Sequence, residues 1–287
     1  MIKKPLQRSI GSALMLLGVV LVQPLPGALA LTDEIVMGTA GDYSVLAGST
    51  VTNTGATVIS ADAGMGGNLG LSPGTVVSGF PPGIVTPPGT QHVTDAAAAQ
   101  AQTDLTTAYN TAAGLPCDVT LTGSDLGGMI LTTGVYCFAS SAQLTGVVTL
   151  DAEGDPDAVF VFQIASTLTT ASSSSVVLTN GAQACRAFWQ VGSSATLGSS
   201  TAFSGSILAL TSITLVTDAD VEGRLLARNG AVTLDDNTIH TPLCAPEIGV
   251  PVAPLFGSAG QGVAVGMFLV GAGMILFLRR RTLPTAR

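Results

Sequence analysis

The sequence predicts a mainly β protein, a β-solenoid with one long helix beside it, and three observations carry that expectation. The first is a repeat: FWQVGSSATLGSSTAFSG (188–205), SILALTSITLVTDADVEG (206–223) and RLLARNGAVTLDDNTI (224–239) each start 18 residues after the last. Leu208 falls over Leu226, Ala195 over Ile213 and Ala231, Phe203 over Val221 and Ile239, and Gly205 over Gly223. Short apolar alternations broken by Gly, Ser, Asn and Asp at a fixed period are what stacked coils produce, because one coil cannot bury its own apolar face. The second is composition: 47% hydrophobic against 10% charged is a core-forming balance, and 5% aromatic with 35 glycines leaves Val, Leu, Ile and Ala to fill thin coils. The third is one alanine-rich segment in which Ala98, Ala101, Leu105, Ala108, Tyr109 and Ala112 share a helical face.

Taken in order, Lys3, Lys4 and Arg8, an apolar run from Ile10 to Val22, and Ala28-Leu29-Ala30 describe a secretory signal over residues 1–30. The body occupies 31–245. Leu31 to Thr90 reads as strands and turns, with Val45, Val51, Val58 and Ile59 in the alternation. Within it, GMGGNLGLSPGTVVSGFPPGIVTPPG (64–89) is too rich in Gly and Pro for a ladder and is expected to cap an open edge. The helix is expected over about 94–113, capped by Thr94, favoured by Asp95 at its positive end, and stopped by Gly114 and Pro116. VFVFQI (159–164) is apolar throughout, as a strand covered on both sides by body and helix would be. A linker (246–261) leads to residues 262–287, where 17 uncharged residues from Gly262 to Leu278 close on Arg279-Arg280-Arg281. That is a transmembrane span with a cytoplasmic C-terminus, or a C-terminal sorting segment for a surface-processing enzyme. The body is therefore expected outside the cell, secreted or anchored at a bacterial-type surface.

All 18 acidic residues lie between Asp33 and Glu247, with only Arg186, Arg224 and Arg228 of the ten basic ones. So acidic a body repels phosphates, which excludes nucleic acid as a partner. Arg224 and Arg228 are expected to pair with nearby acids such as Glu222. Cys117, Cys137, Cys185 and Cys244 fit an oxidising compartment, and proximity favours 117 with 137 and 185 with 244 among the three possible pairings. No CxxC occurs, so no metal is expected, and DAEGDPD (151–157) departs from calcium-loop spacing and reads as a solvated turn. Gly70-Leu71-Ser72-Pro73-Gly74 matches a hydrolase elbow, but Pro73 holds Ser72 out of the helical region that the elbow needs. His92 and His240 are far apart in sequence, and neither has an evident acid partner for general base work. The chain is thus expected to be a monomer without catalysis or cofactor.

Several blocks carry a family resemblance: LGLSPGTVVSGFPPG (69–83), LTTGVYCF, VVTLDAEGDPDAVFVFQI, NGAQACRAFWQVGSSATLG, and ILALTSITL followed by GRLLARNGAVTLDDNTI. Over about Thr39 to Thr241 the chain resembles the microbial ice-binding proteins. The resemblance implies a right-handed β-solenoid of triangular section with a helix alongside, adsorbing to ice through one flat face. Family members often show Thr, a small residue, any residue, then Thr or Asn once per coil. Thr54-Gly55-Ala56-Thr57 fits fully, Thr170-Ala171-Ser172-Ser173 with Ser last, and Thr145-Gly146 at its first two places. Thr54, Thr57, Thr145, Thr170 and Ser172 are the leading candidates for ice contact, followed by Ser199, Thr201, Thr217 and Thr238. In those later coils Asp218, Asp220, Asp235 and Asp236 would set hydrated carboxylates on the same surface, which are costly to desolvate. The rival expectation is a structural or adhesive surface solenoid without ice activity, since Thr suits exposed strands on any such fold.

Overall fold

A computed structural model describes residues 35–244. The stretches read as signal, linker and C-terminal hydrophobic segment lie outside the described residues, among which no helix is long and apolar enough to cross a membrane.

After one 3-10 turn (Gly38–Asp42) the chain makes two coils: β1 (Tyr43–Ala47), β2 (Thr50–Thr54) and β3 (Val58–Ala61), then β4 (Asn68–Leu71), β5 (Val76–Ser78) and β6 (Ile84–Val85). β7 (Gln91–Val93) leads into helix α1 (Ala96–Gly114), after which β8 (Val119–Thr120) and β9 (Ile130–Leu131) open a second run of coils. That run continues through β10 (Gly134–Phe138), β11 (Ala142–Leu144), β12 (Val147–Asp151), β13 (Phe160–Ile164), β14 (Leu168–Thr170), β15 (Ser175–Thr179), β16 (Ala187–Val191) and β17 (Ala195–Leu197). It ends with β18 (Ala202–Ala209), β19 (Ile213–Leu215), β20 (Asp220–Ala227), β21 (Val232–Asp235) and β22 (Thr238–Thr241).

Every strand pairs in parallel with its equivalent in the next coil, so the coils present three outer faces. The helix face runs β8, β10, β13, β16, β18, β20, β1, β4, β7. The second face is the seven-stranded sheet β11, β14, β17, β19, β21, β2, β5. The third runs β9, β12, β15, β18, β20, β22, β3, β6. The two long strands β18 and β20 belong to both the third and the helix face, bending between them at Gly205 and Gly223. A Cβ at Gly223 (φ 154°) would lie 2.0 Å from the Gly205 carbonyl oxygen, so this close stacking needs glycine.

Spatial order differs from chain order. The N-terminal coils stack beyond the C-terminal one: β1 sits between β20 and β4, β2 between β21 and β5, and β3 between β22 and β6. The chain must then return from one end of the stack to the other. Helix α1 makes that return: its 19 residues cover about 28 Å at the helical rise.

Strands of the helix face divide their side chains between two cores. Phe160, Phe162 and Ile164 of β13 point between the three faces while Val161 faces the helix, so VFVFQI is covered on both sides as its composition requires. The inner core is less uniform than composition implies, because the few aromatics gather in one stack. Tyr136, Phe162, Trp189 and Phe203 lie with successive ring centroids 5.5, 3.7 and 5.0 Å apart. Ala98, Ala101, Leu105, Ala108, Tyr109 and Ala112 are the buried helix residues, and most of them lie against Leu46, Val135, Val161, Phe188, Leu208 and Leu226. An alanine-rich helix is marginal alone, so this contact holds it. Cys117–Cys137 and Cys185–Cys244 are bridged, with Cα atoms 6.0 and 5.7 Å apart.

Four sequence expectations are corrected here. The helix cap is Asp95, which accepts from Ala98 N–H at 2.8 Å, whereas Thr94 has φ 56° and lies before the cap. The Gly/Pro-rich stretch does lie at an end of the stack, as a cap would, but it forms ladders: it supplies β4, β5 and β6, a full coil whose prolines fall between strands or flank them. The gapless 18-residue alignment slips at the last row, where Ile213 pairs with Val232 rather than Ala231 while Val221 still pairs with Ile239. One residue is gained at the corner before β21 and lost at the corner after it. Finally, the Arg residues do not seek Glu222, because the bend at Gly223 sends Glu222 to the third face and Arg224 toward the helix face. Arg224 donates to the Gly41 carbonyl at 3.0 Å, and burial pulls its pKa down to about 10, so it stays charged at neutral pH. Arg228 lies 4.8 Å over the Tyr109 ring.

Candidate functional site: the outer side of the seven-stranded sheet

On the second face the central Thr is flanked by apolar residues in Ala195-Thr196-Leu197, Ile213-Thr214-Leu215 and Val232-Thr233-Leu234, and follows one in Leu168-Thr169-Thr170 and Val51-Thr52-Asn53. Alternation sends the flanking residues into the core and the central Thr outward. Cα pairing then links Gln143, Thr169, Thr196, Thr214, Thr233, Thr52 and Ser78 into one unbroken rank. At the usual strand separation that rank is about 29 Å long. Its five threonines have restricted χ1 and each offers a methyl and a hydroxyl. Thr169, Thr196 and Thr214 make no side-chain hydrogen bond within the protein, whereas Thr52 approaches Thr233 at 3.4 Å. Further hydroxyls sit just before these strands, with Thr167 donating to Ser141 at 2.8 Å and Ser194 bonded to Thr211 at 2.7 Å.

The residues expected from the motif do not form this rank. Thr54, Thr145, Ser172, Ser199 and Thr217 lie along the rim where the second face turns into the third, with Ser199 bonded to Ser172 at 2.9 Å and Thr217 donating to Asp235. Thr238 is exposed but belongs to the third face, between Asp220 and Val58. Thr57, Thr170 and Thr201 are 0, 3 and 0% exposed: the corner turns them inward, where they bond other protein groups and offer nothing to an external surface. The central rank was legible in the sequence, since the alternation rule places each Thr flanked by apolar residues outward. The four-residue motif drew attention to the corner instead.

The aspartates also stand apart from the flat of this face. Asp218 and Asp236 have φ 61° and 55°, as Ser173, Ser200 and Gly55 do at 58°, 54° and 77°. They occupy the left-handed corner position of each coil, which Asp, Asn and Gly tolerate best. Asp236 accepts from Ala56 N–H at 2.9 Å across that corner. Asp220 points out from the third face, Asp235 reaches the rim, and Asp125 stands beyond Gln143 at the end of the rank, accepting from Thr145 N–H at 2.9 Å.

Neither histidine lacks an acid. Ser60 Oγ lies 3.0 Å from His240 Nδ1, and His240 Nε2 lies 3.2 Å from Asp62; Thr90 lies 3.0 Å from His92 Nε2, and Nδ1 lies 2.7 Å from Asp95. The partners of His240 come from a neighbouring coil about 180 residues away, whereas Asp95 stands only three residues after His92, at the helix cap. Both acids already serve the backbone: Asp62 accepts from Leu243 N–H and Asp95 caps α1. The DAEGDPD carboxylates are likewise engaged in turns, Asp151 with Glu153 N–H and Asn180, Asp155 with Asp157 N–H, and Asp157 with Arg186.

Stacked parallel coils, a helix along one face and an uncharged hydroxyl-bearing rank on another define a repetitive surface-adsorbing class of protein. The chain belongs to the ice-binding-like family, whose model matches residues 45–240. It is 58% identical over 204 residues to an ice-binding protein of Nostoc sp. (strain HG1), covering 71% of this chain and 72% of that one. It is 35% identical over 229 residues to ice-binding protein 1 of Shewanella frigidimarina, covering 71% of this chain and 25% of that one. The crystal structure of an ice-binding protein from an Antarctic biological consortium is similar at TM-score 0.69 and 50% identity, over 76% of this chain and 96% of that chain.

Proposed function

We propose that the chain adsorbs to ice through the threonine face, restraining crystal growth or recrystallisation without catalysis. The observation that supports this most is the rank from Gln143 to Ser78: register-locked, free of charge, with hydroxyls left for water. Each site is weak. A stack that is already rigid lets many act together without ordering entropy being lost on contact, and displaced surface water adds a hydrophobic contribution. The rim hydroxyls of Thr54, Thr145, Ser172, Ser199 and Thr217 extend the surface, and Thr238 takes no part.

The same reading takes the coils as a right-handed solenoid that acts outside the cell as a monomer. Residues 1–30 are its signal, 31–245 the ice-binding body, 246–261 the linker, and 262–287 a membrane or sorting segment. Partition of the purified protein into a slowly growing ice front, followed by thermal hysteresis, tests the central claim. Exclusion from the ice at every concentration would leave the structural or adhesive reading in its place.

A further inference from the structure

The corner between the second and third faces holds a column of buried polar side chains. Ser174, Thr170, Thr201, Asn237 and Thr57 are all at most 3% exposed, and their partners follow one pattern. Each reaches the backbone just where a strand of the threonine face ends. Ser174 donates to the Leu144 carbonyl at the end of β11 (3.0 Å), and Thr201 to the Ala171 carbonyl after β14 (3.3 Å). Thr170 accepts from Gly198 N–H after β17 (2.9 Å) and bonds Thr201 Oγ1 at 2.9 Å. Asn237 donates to the Val216 carbonyl after β19 (2.9 Å) and accepts from Asp235 N–H at the end of β21 (2.7 Å). Thr57 continues the column by accepting from Asn237 N–H at 3.0 Å. Five successive strands are thus clipped from inside.

Stability alone does not demand polar groups here. A buried polar side chain costs free energy until bonded, and a well-packed apolar corner does as well or better. The equivalent place in the coil between Thr201 and Asn237 is in fact Ala219, buried without a polar group. What directional bonds add is position: they fix how far each strand end stands from its neighbour, which Leu or Val would leave to packing. Resting on the reading of the threonine face as the ice surface, we infer that Thr201, Thr170, Asn237 and Thr57 are positioning residues that hold the strand ends level, so that the threonine rank matches a rigid water lattice. They act through the rank and never touch ice.

The test uses the full chain with Thr201→Val, which keeps shape and loses the hydroxyl, and Thr201→Ser, which keeps the hydroxyl. With fold checked by circular dichroism near 0 °C, Thr201→Val lowers thermal hysteresis about threefold and blurs the pattern of labelled protein on a single-crystal ice hemisphere, while Thr201→Ser stays at wild type. A stabilising role alone would lower the melting temperature and leave hysteresis near 0 °C untouched. In a Thr214→Tyr background, adding Thr201→Val has no further effect, because both act on one rank. Should Thr201→Val fail to fold, Thr57→Val carries the same test. Wild-type hysteresis and plane pattern in the folded valine variant overturn the inference alone. Wild-type hysteresis in Thr214→Tyr overturns the reading of the face, and this inference with it.

Discussion

The second and third faces come from the same coils, at the same strand spacing and in the same parallel register, yet only one is a uniform surface. Outward positions of the second face repeat Thr through five coils. Those of the third face run through Ile130, Thr149, Val177, Ser204, Glu222, His240 and Ser60 without keeping size, charge or polarity. Backbone repetition is thus insufficient for a lattice-matching surface. Side-chain identity must repeat too, and it does so on the face whose strand ends the buried polar column bonds.

The sharpest way to break this comparison is to place one bulky residue on each face. Thr214→Tyr, in mid-rank, should lower thermal hysteresis about tenfold with an unchanged circular dichroism spectrum, because a raised side chain lifts its neighbours off the surface as well. Thr238→Tyr on the third face should leave hysteresis at wild type; equal losses in the two variants would dissolve the distinction. A smaller effect sharpens the same contrast at the rim: Asp235→Thr removes a carboxylate beside Thr217 and should raise hysteresis up to about twofold, given the cost of desolvating a charge. The smallest effect is with pH. The rank from Gln143 to Ser78 contains no titratable group, so hysteresis per folded molecule should be level with pH wherever the protein stays folded.

Stability, in contrast, should fail in acid. Hydrogen bonds from Thr39 to Asp104, and from Ala98 N–H to Asp95, hold those carboxyls below the usual carboxylate range. A depressed pKa contributes stability that is present above about pH 4 and is lost as pH falls through the folded-state value. Thermal melts from neutral to strongly acid pH should show the midpoint dropping only below that point. A midpoint that is flat down to pH 2 would show that these bonds contribute nothing.

Much of this architecture was legible in the sequence. Leu208 over Leu226 and Gly205 over Gly223 predicted true pairings, and the helical face was read residue by residue. The rest depended on interactions that a linear reading does not contain. Nothing in YSVLA or TVTNT says that these strands will stack on β20 and β21, about 180 residues away in the chain. The Gly/Pro coil was missed because an end coil needs few ladder bonds, which leaves room for prolines between and beside its strands. The four-residue motif falls on the corner and not on the flat of the second face: Thr57 and Thr170 stand in it, and Thr201 in the matching column, but a corner inverts the direction of the next side chain, and only the three-dimensional turn reveals which threonines face in.

The out-of-order stacking has a consequence for how the molecule comes into being. β3 pairs with β22, and β1 with β20, so the earliest part of the body to be synthesised has one edge vacant until nearly the last strand arrives. A nascent chain emerging from its N-terminus cannot assemble this stack by simple accretion. Its central coils can form first, and the opening segments then dock onto them as a late closing event, with the slow kinetics that long sequence separation imposes.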